Sequence, residues 1–309
     1  MRLNLMWRRE DGARLASTVW RTGPGLRTIS SATVGGGIGP AGWVLNAQVS
    51  GNYARTDPAA HLMELASSCG LRGPGVGMMT AAAVDRTARR SDEGVTASAT
   101  VGLRVPTWAA APPGVPDEEL APIGGDPLPP PPMAPPVPGG RPEAPPAPPV
   151  PGPRPGTVNI IVEVPAALSD AALVNAVMTA TEAKTQALLE AGYACTGTAS
   201  DALCIAALIP RSGKAEPFAG PRSTWGARIA RAVHAAVHAG ALDYTEYLKA
   251  AHPEPARPEP ARSDPGRQDS GPRASGPREP ARPEIDLEET DHLKSELLKS
   301  GDQGMNAAR

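Results

Sequence analysis

The segment Gly156–Gly192, GTVNIIVEVPAALSDAALVNAVMTATEAKTQALLEAG, decides the fold class. It opens with a short run of β-branched and apolar residues, which predicts a buried strand. Ser169 then offers an N-cap hydroxyl for an amphipathic helix, and Gly192 is the kind of residue that ends one. A buried strand followed closely by an amphipathic helix is typical of α/β structure.

Other segments extend this pattern to both sides. They are strands in ARLASTVWRT, GWVLNAQVSGNY and VTASATVGL, a helix after Asp57-Pro58 that Gly70 closes, two short strands around a turn in YACTGTASDALCIAAL, and an amphipathic helix in STWGARIARAVHAAVHAGAL. Strands and helices mixed in this way predict a single mixed α/β sandwich domain. The order of the strands does not follow from the sequence.

Proline content predicts how this domain is divided. The chain has 309 residues with 38 prolines and one Phe, and the prolines concentrate in two tracts. Such composition cannot bury enough apolar area to offset the entropy of ordering, so both tracts are predicted to be disordered. We expect two halves of one domain at 1–111 and 156–251, a proline-rich linker at 112–155 and a charged tail at 252–309. Residues 285–299 could form a short helix or stay loose.

Charge and cysteine usage narrow the function classes. A net charge of −2 gives no basic field for nucleic acid or anionic membranes. Cys69, Cys195 and Cys204 are an odd number without metal-type spacing, as expected for reduced thiols. No window approaches the ~18–20 apolar residues of a membrane helix, and no signal peptide is recognisable. The sequence therefore predicts a soluble cytoplasmic protein, and its oligomeric state is left open.

Lys184 is the first candidate site residue, because it falls in the middle of the apolar face of its helix. That face carries Leu173, Val177, Ala180, Ala187, Leu188 and Ala191. Either the lysine extends its ammonium past apolar neighbours into solvent, or it lines a cleft and contacts a bound amide. Thr181 and Thr185 flank it with hydroxyls. Glu182 points to the opposite side and is read as a solvated helix charge.

The turn Thr196-Gly197-Thr198-Ala199-Ser200-Asp201 is the second candidate. Gly, Ser and Asp favour tight turns for local hydrogen-bonding reasons, so a plain turn is one interpretation. The other is a turn that faces a ligand, with Asp201 as a base and the hydroxyls as nucleophile or substrate contacts.

Two further features carry weaker signals. The glycine run Gly35–Gly39 lacks the spacing of a dinucleotide or phosphate loop, so a plain loop is predicted. His234 and His238 stand four residues apart on the last helix without a third ligand nearby, so no metal site is predicted. We expect no cofactor.

Several motifs resemble the adenosylcobinamide amidohydrolase family. In family order they are SSATVGGG, GVGMMTAA at Gly75–Ala82, ATVGLRVPTWAA at Ala99–Ala110, Gly156-Thr157-Val158-Asn159, Thr181-Glu182-Ala183-Lys184-Thr185, Thr196 to Asp201 and FAGPRSTWG at Phe218–Gly226. The resemblance spans nearly all of both predicted halves. The linker and the tail lie outside it.

This resemblance implies a function: hydrolysis of the amide that joins the aminopropanol arm to the corrin ring of adenosylcobinamide. The product would be adenosylcobyric acid, used in cobamide salvage. For this chemistry we predict Asp201 as base, Lys184 facing the oxyanion or the leaving nitrogen, and Asn159 donating to the carbonyl. The predicted substrate contacts are Thr181, Thr185, Thr196, Thr198, Ser200 and Thr80.

Two alternatives to this enzyme are open. One is a corrinoid-binding module without catalysis. The other is an interaction protein whose proline tracts dock in aromatic grooves.

Overall fold

A computed structural model of the chain describes residues 1–112, 156–211 and 214–251. Apart from Pro112, the predicted linker and tail, with the possible helix at 285–299, lie outside this part. The described part contains ten strands and three α-helices. In chain order they are β1 (Asn4–Glu10), β2 (Ala13–Arg21), β3 (Leu26–Ser30), β4 (Gly37–Pro40), β5 (Trp43–Gln48), α1 (Pro58–Ser68), β6 (Val76–Thr80), β7 (Ala88–Asp92), β8 (Val95–Gly102), β9 (Thr157–Ala167), α2 (Asp170–Glu190), β10 (Ala202–Leu208) and α3 (Thr224–Ala251).

The strands form two mixed sheets. One has the order β1-β2-β5-β6 and the other the order β4-β3-β10-β9-β8-β7. Most neighbours are antiparallel, whereas β5 pairs with β6 and β9 pairs with β10 in parallel. In the six-stranded sheet, β9 and β10 follow the first proline tract, yet they pair with β8 and β3, which precede it. Both parts of the chain therefore build the same sheet.

The elements stack in four layers. Helix α1 packs on the four-stranded sheet through residues such as Leu62 and Leu65. The two sheets meet through a second apolar cluster that includes Trp20 and Met78. Helices α2 and α3 cover the other face of the six-stranded sheet and pack against each other. This arrangement confirms the predicted mixed α/β sandwich.

Strand β9 lies between two cores, because successive side chains of a strand point to opposite faces. Val158, Ile160 and Val162 join the core under α2 and α3. Ile161 joins the cluster between the sheets, and the side chain of Asn159 faces the same way. The first residues of β9 can therefore contribute to polar groups on both sides of the sheet.

Most local predictions agree with the structure. The Ser169 hydroxyl accepts a hydrogen bond from the Ala172 amide at 3.1 Å and caps α2 as predicted. Gly192 follows α2 with a φ of +90°, which glycine adopts without strain. Asp57 precedes α1, but its side chain makes no capping bond. No helix in the described residues is both long and apolar enough to span a membrane.

One local prediction is wrong. The segment Tyr193–Leu208 contains one strand, β10, rather than two. The Cys195 amide donates to the Tyr193 carbonyl at 2.8 Å, which bends the chain at that point. Beyond it, Thr196 and Gly197 bond to the backbone of Thr107 and form an isolated bridge. The turn is therefore held by a segment from the other half of the chain.

Candidate active site

The candidate site lies where the turn Thr196–Asp201 enters β10. Because β9 and β10 are parallel, both strands begin at the same edge of the six-stranded sheet. This brings Asp201 beside Val158, the second residue of β9. The turn also passes over α2, where Lys184 is located. We call Lys184, Thr198, Ser200 and Asp201 the turn cluster.

Asp201 is the centre of the turn cluster. Its Oδ1 accepts hydrogen bonds from the Val158 amide at 2.8 Å and lies 2.6 Å from Thr198 Oγ1. Its Oδ2 accepts from the Thr198 amide at 3.1 Å and from Lys184 Nζ at 2.5 Å. A carboxylate has about four lone-pair positions, so this one is fully hydrogen-bonded. Asp201 thus holds the turn, the strand and the helix together.

Lys184 reaches Asp201 from α2, between the buried residues Ala183 and Ala187. The lysine side chain is 13% exposed and the aspartate side chain 14%. The ammonium therefore ends in a largely buried ion pair instead of extending into solvent. This explains why a lysine lies on the apolar face of the helix: its charge is compensated by Asp201, which comes later in the chain.

Gly197 permits this close approach. A Cβ atom at this position would collide with Asp201 Oδ2 and Lys184 Nζ, and the backbone has a φ of +152°. Any side chain here would push the aspartate and the lysine apart. The ion pair therefore depends on glycine at the second position of the turn.

The hydroxyls of the turn cluster gather around the start of β9. Thr198 Oγ1 lies 2.8 Å and Ser200 Oγ 3.0 Å from the carbonyl oxygen of Gly156. Ser200 Oγ also lies 3.0 Å from Thr157 Oγ1. One peptide carbonyl thus has two hydroxyls within hydrogen-bonding distance.

The other threonines predicted to contact substrate near the turn bond to the backbone. Thr196 Oγ1 donates to the Thr107 carbonyl and accepts from the Ala109 amide. Thr181 and Thr185 donate to the carbonyls one helical turn earlier and line a shallow groove along α2. Thr196 thus contributes to the shape of the turn, while Thr181 and Thr185 border an open surface next to it.

Asn159 and Thr80 lie elsewhere, between the two sheets. Asn159 is 1% exposed, and its Nδ2 donates to Asn46 Oδ1 at 2.8 Å and to the Met79 carbonyl at 3.1 Å. Asn46 in turn donates to Thr100 Oγ1 at 2.8 Å. We call Asn46, Thr100 and Asn159 the inter-sheet cluster. Thr80, which follows Met79 in the chain, is also buried, and its hydroxyl accepts a hydrogen bond from the Ala82 amide.

The structure therefore does not bring the three predicted catalytic residues together. Lys184 and Asp201 form one site with Thr198 and Ser200, whereas the Asn159 side chain points to the opposite face of β9. In the inter-sheet cluster, Asn159 Oδ1 has no hydrogen-bond partner among the described residues.

Comparison with known proteins supports the family resemblance that the sequence motifs indicate. The family model for adenosylcobinamide amidohydrolase matches residues 4–249. The chain belongs to the adenosylcobinamide amidohydrolase family. A relative of that name from Methanosarcina mazei is 42% identical over 92 residues, which cover 28% of this chain and 46% of the relative. The similarity to this relative thus spans just under half of its length.

The family match includes both clusters and also the buried cysteines Cys195 and Cys204. Cys195 lies next to the turn cluster, but burial raises the pKa of its thiol, so the neutral form dominates at neutral pH. Burial also raises the pKa of Cys204 to about 12. Neither cysteine has the lowered pKa of a reactive thiolate.

The residues behind the weaker sequence signals make ordinary ion-pair, ring and packing contacts in the structure. His234 Nε2 lies 2.7 Å from Glu190 Oε2, and its ring stacks on that of His238. Among the described residues, no group of three or more metal-binding side chains comes together. In the glycine run, Gly35 is pressed against the backbone of Gly75, which accounts for a glycine there by packing alone.

Sequence reasoning missed Asn46 and Thr100, the partners of Asn159. A signal was present in β8, where Thr96, Ser98 and Thr100 alternate with small apolar residues. That alternation indicates a polar face, yet it does not say that the face is buried against a second sheet.

Proposed function

We propose that this protein hydrolyses the amide bond between the aminopropanol arm and the corrin ring of adenosylcobinamide, releasing adenosylcobyric acid for cobamide salvage. Family membership supports the substrate. In the site itself, one observation supports the proposal: the Lys184 ammonium, the Asp201 carboxylate and the turn hydroxyls are in contact in the turn cluster. The three cysteines are free thiols. Because thiols stay reduced in the cytoplasm, we propose that the protein is located there.

The turn cluster contains the groups that amide hydrolysis requires. The reaction needs an oxygen nucleophile, a group to take its proton, stabilisation of the tetrahedral oxyanion and a proton for the departing amine. Lys184 has three donor protons, and its bond to Asp201 uses one of them. We assign the remaining N–H groups to the oxyanion or the leaving nitrogen.

We propose that Asp201 is the proton acceptor in this reaction. Oδ1 lies 2.6 Å from the Thr198 hydroxyl, within reach of a proton transfer. Because all of its lone pairs are engaged, we propose that Asp201 accepts a proton through that hydroxyl rather than directly from bulk water. Its other role is to fix the position of the Lys184 ammonium.

Asn159 is assigned a different role from the one its motif suggested. Its amide nitrogen already donates to Asn46 and to the Met79 carbonyl. We therefore propose that Asn159 positions β9, and that Lys184 rather than Asn159 faces the substrate carbonyl. Thr181 and Thr185 remain proposed corrinoid contacts, because they lie on the open surface of α2 and Thr185 contacts the Thr196 carbonyl of the turn.

The test is incubation of the purified chain with adenosylcobinamide, followed by chromatography with mass detection. We expect adenosylcobyric acid and aminopropanol-derived product from the unmodified chain, and at least a hundredfold slower release from Lys184→Ala. Lys249→Ala is the matched control, since Lys249 pairs with Glu246 on the exposed surface of α3, and its turnover should be unchanged.

Three other outcomes would change the assignment. Equal turnover by Lys184→Ala would keep the hydrolase and remove Lys184 from its chemistry. Retention of the corrinoid without any product would favour the binding module. Neither product nor retention would refute the corrinoid function.

A further inference from the structure

We propose that the chain cleaves its own Gly156–Thr157 peptide bond, and that the Thr157 freed by this cleavage is the nucleophile of the amidohydrolase. The second half of this statement rests on the proposed function. The first half is a separate activity of the chain on itself, and the contacts around one peptide group support it.

The Gly156 carbonyl is bound as a reacting carbonyl would be. Ser200 Oγ donates to its oxygen at 3.0 Å. Thr198 Oγ1 lies 2.8 Å from the same oxygen, but its single proton goes to Asp201 Oδ1 at 2.6 Å. Donors placed around one carbonyl oxygen stabilise the negative charge that develops when the carbonyl carbon is attacked.

The attacking group lies on the next residue. Thr157 Oγ1 belongs to the amino acid that follows the carbonyl, so attack on the Gly156 carbon closes a five-membered ring. Thr157 is 2% exposed, which keeps bulk water away from its hydroxyl. Ser200 Oγ, 3.0 Å from Thr157 Oγ1, lies between the attacking oxygen and the carbonyl oxygen.

These contacts define a balanced reaction. Thr157 Oγ1 forms a bond to the Gly156 carbonyl carbon and passes its proton to Ser200 Oγ, whose own proton moves to the Gly156 oxygen. The adduct then collapses: that proton goes to the Thr157 nitrogen, the C–N bond breaks, and an ester joins Gly156 to Thr157 Oγ1. One water molecule hydrolyses the ester, leaving a Gly156 carboxylate and a Thr157 with a free hydroxyl and a free α-amine.

Glycine at position 156 fits this site sterically. A Cβ there would meet the Gly102 carbonyl oxygen at 2.8 Å and the Arg104 amide nitrogen at 3.0 Å. Glycine therefore fits against this backbone, where a larger residue would have to displace it.

The product of cleavage is a suitable amidase nucleophile. A threonine with a free α-amine carries its own base beside its hydroxyl. Asp201 Oδ1 already accepts the amide of the following residue, Val158, so a carboxylate lies one residue from the new amine. Ser200, the donor that stabilised the Gly156 oxyanion, would then be available to the substrate carbonyl beside Lys184.

The experiment is intact-mass spectrometry of the purified full chain under denaturing conditions, with time points at neutral pH and protease inhibitors present. We expect two fragments, residues 1–156 and 157–309, with N-terminal sequencing of the second starting at Thr157. Thr157→Ala should remain a single chain, and Thr157→Ser should be cleaved. Removal of one oxyanion donor typically slows a reaction about 10²-fold, so Ser200→Ala should be cleaved about a hundredfold more slowly.

Folding of each variant is checked by its thermal unfolding, and the Thr157→Ser result keeps the test valid if Thr157→Ala does not fold. A chain that stays intact while it hydrolyses adenosylcobinamide overturns the self-cleavage and leaves the proposed function standing. A chain that is cleaved before Thr157 but leaves adenosylcobinamide unchanged supports the self-cleavage and refutes the proposed function. Cleavage at other bonds, or cleavage of Thr157→Ala at the same bond, also overturns the proposal.

Discussion

The turn cluster and the inter-sheet cluster both border the first residues of β9, but they differ in charge and in hydrogen bonding. The turn cluster contains an ion pair, and its carboxylate accepts four hydrogen bonds. The inter-sheet cluster is neutral, and the side-chain oxygen Asn159 Oδ1 in it has no hydrogen-bond partner among the described residues.

We propose from this difference that the turn cluster serves the reaction, whereas the inter-sheet cluster specifies how the two sheets pack. Burying an ion pair is costly unless its charges are well hydrogen-bonded, so an arrangement as complete as the turn cluster calls for a function. Neutral amides and hydroxyls in a core are less costly and favour one relative position of two sheets. Substitutions that affect the two clusters differently can test this division.

The largest effect is expected from Asp201→Ala. It leaves the Lys184 ammonium without its partner in a site where both side chains are about seven-eighths buried. Removing one member of a buried ion pair reduces the free energy of unfolding by about 3–5 kcal/mol. Urea unfolding should show this loss, and release of adenosylcobyric acid should stop.

A double substitution provides the control for Asp201→Ala. Lys184→Met together with Asp201→Ala removes both charges, so it should destabilise less than the sum of the two single changes. If the effects are additive, the two residues are not coupled and the ion pair is not what holds the turn.

A smaller effect is expected from Gly197→Ala, which keeps every member of the turn cluster but pushes Lys184 and Asp201 apart. Overpacking of this kind costs about 1–3 kcal/mol. Misplacing a catalytic group by about 1 Å can slow turnover about 10²-fold. The turnover should therefore fall far more than the stability does.

Gly192→Ala is the matched control for this change. Gly192 also has a positive φ, but a Cβ there meets nothing within 4 Å. It should lose about 1 kcal/mol from backbone strain and retain normal turnover. Equal losses of turnover in both variants would mean that general loosening, and not the separation of the ion pair, affects the reaction.

Local chemistry made part of this structure predictable. The Ser169 cap, the glycine after α2 and the apolar run of β9 depend on neighbours in sequence, and each appears where it is predicted. Lys184 is conspicuous on its helix because a charge interrupts an apolar face. Its partner Asp201 is also predicted as a site residue, but the contact between them depends on a turn that Gly197 allows to lie close to α2.

Other features depend on how layers stack, which sequence periodicity does not reveal. The alternation of β9 shows that Asn159 and Val158 point to opposite faces. It does not show that one face packs on helices and the other on a second sheet. For that reason the sequence predicts Asn159 beside Lys184, although the Asn159 side chain contacts Asn46, on a strand more than a hundred residues away in sequence.

Asn159→Ala tests the inter-sheet cluster directly. It removes the donor to Asn46 and to the Met79 carbonyl, and buried groups left without partners cost about 1–3 kcal/mol. We expect this loss of stability with turnover reduced less than tenfold, because the turn cluster is untouched. A loss of turnover as large as that of Lys184→Ala, in a folded protein, would return Asn159 to the reaction.

The smallest effect, and one of opposite sign, is expected from Thr18→Val. Thr18 pairs with Asn46 in the register of β2 and β5. Its buried hydroxyl has no hydrogen-bond partner among the described residues. Valine has nearly the same shape and removes a polar group that gains nothing from burial, so stability should be unchanged or rise by about 1 kcal/mol.

Thr100→Val is the matched comparison for Thr18→Val, because the substitution is the same and the site also lies between the sheets. The Thr100 hydroxyl accepts from Asn46 at 2.8 Å and lies 2.7 Å from Thr87 Oγ1. Its loss should lower stability by about 1–2 kcal/mol. Parallel thermal unfolding of the two variants measures the difference. If both lose stability equally, the Thr18 hydroxyl is hydrogen-bonded in solution, and the inter-sheet layer is as fully paired as the turn cluster.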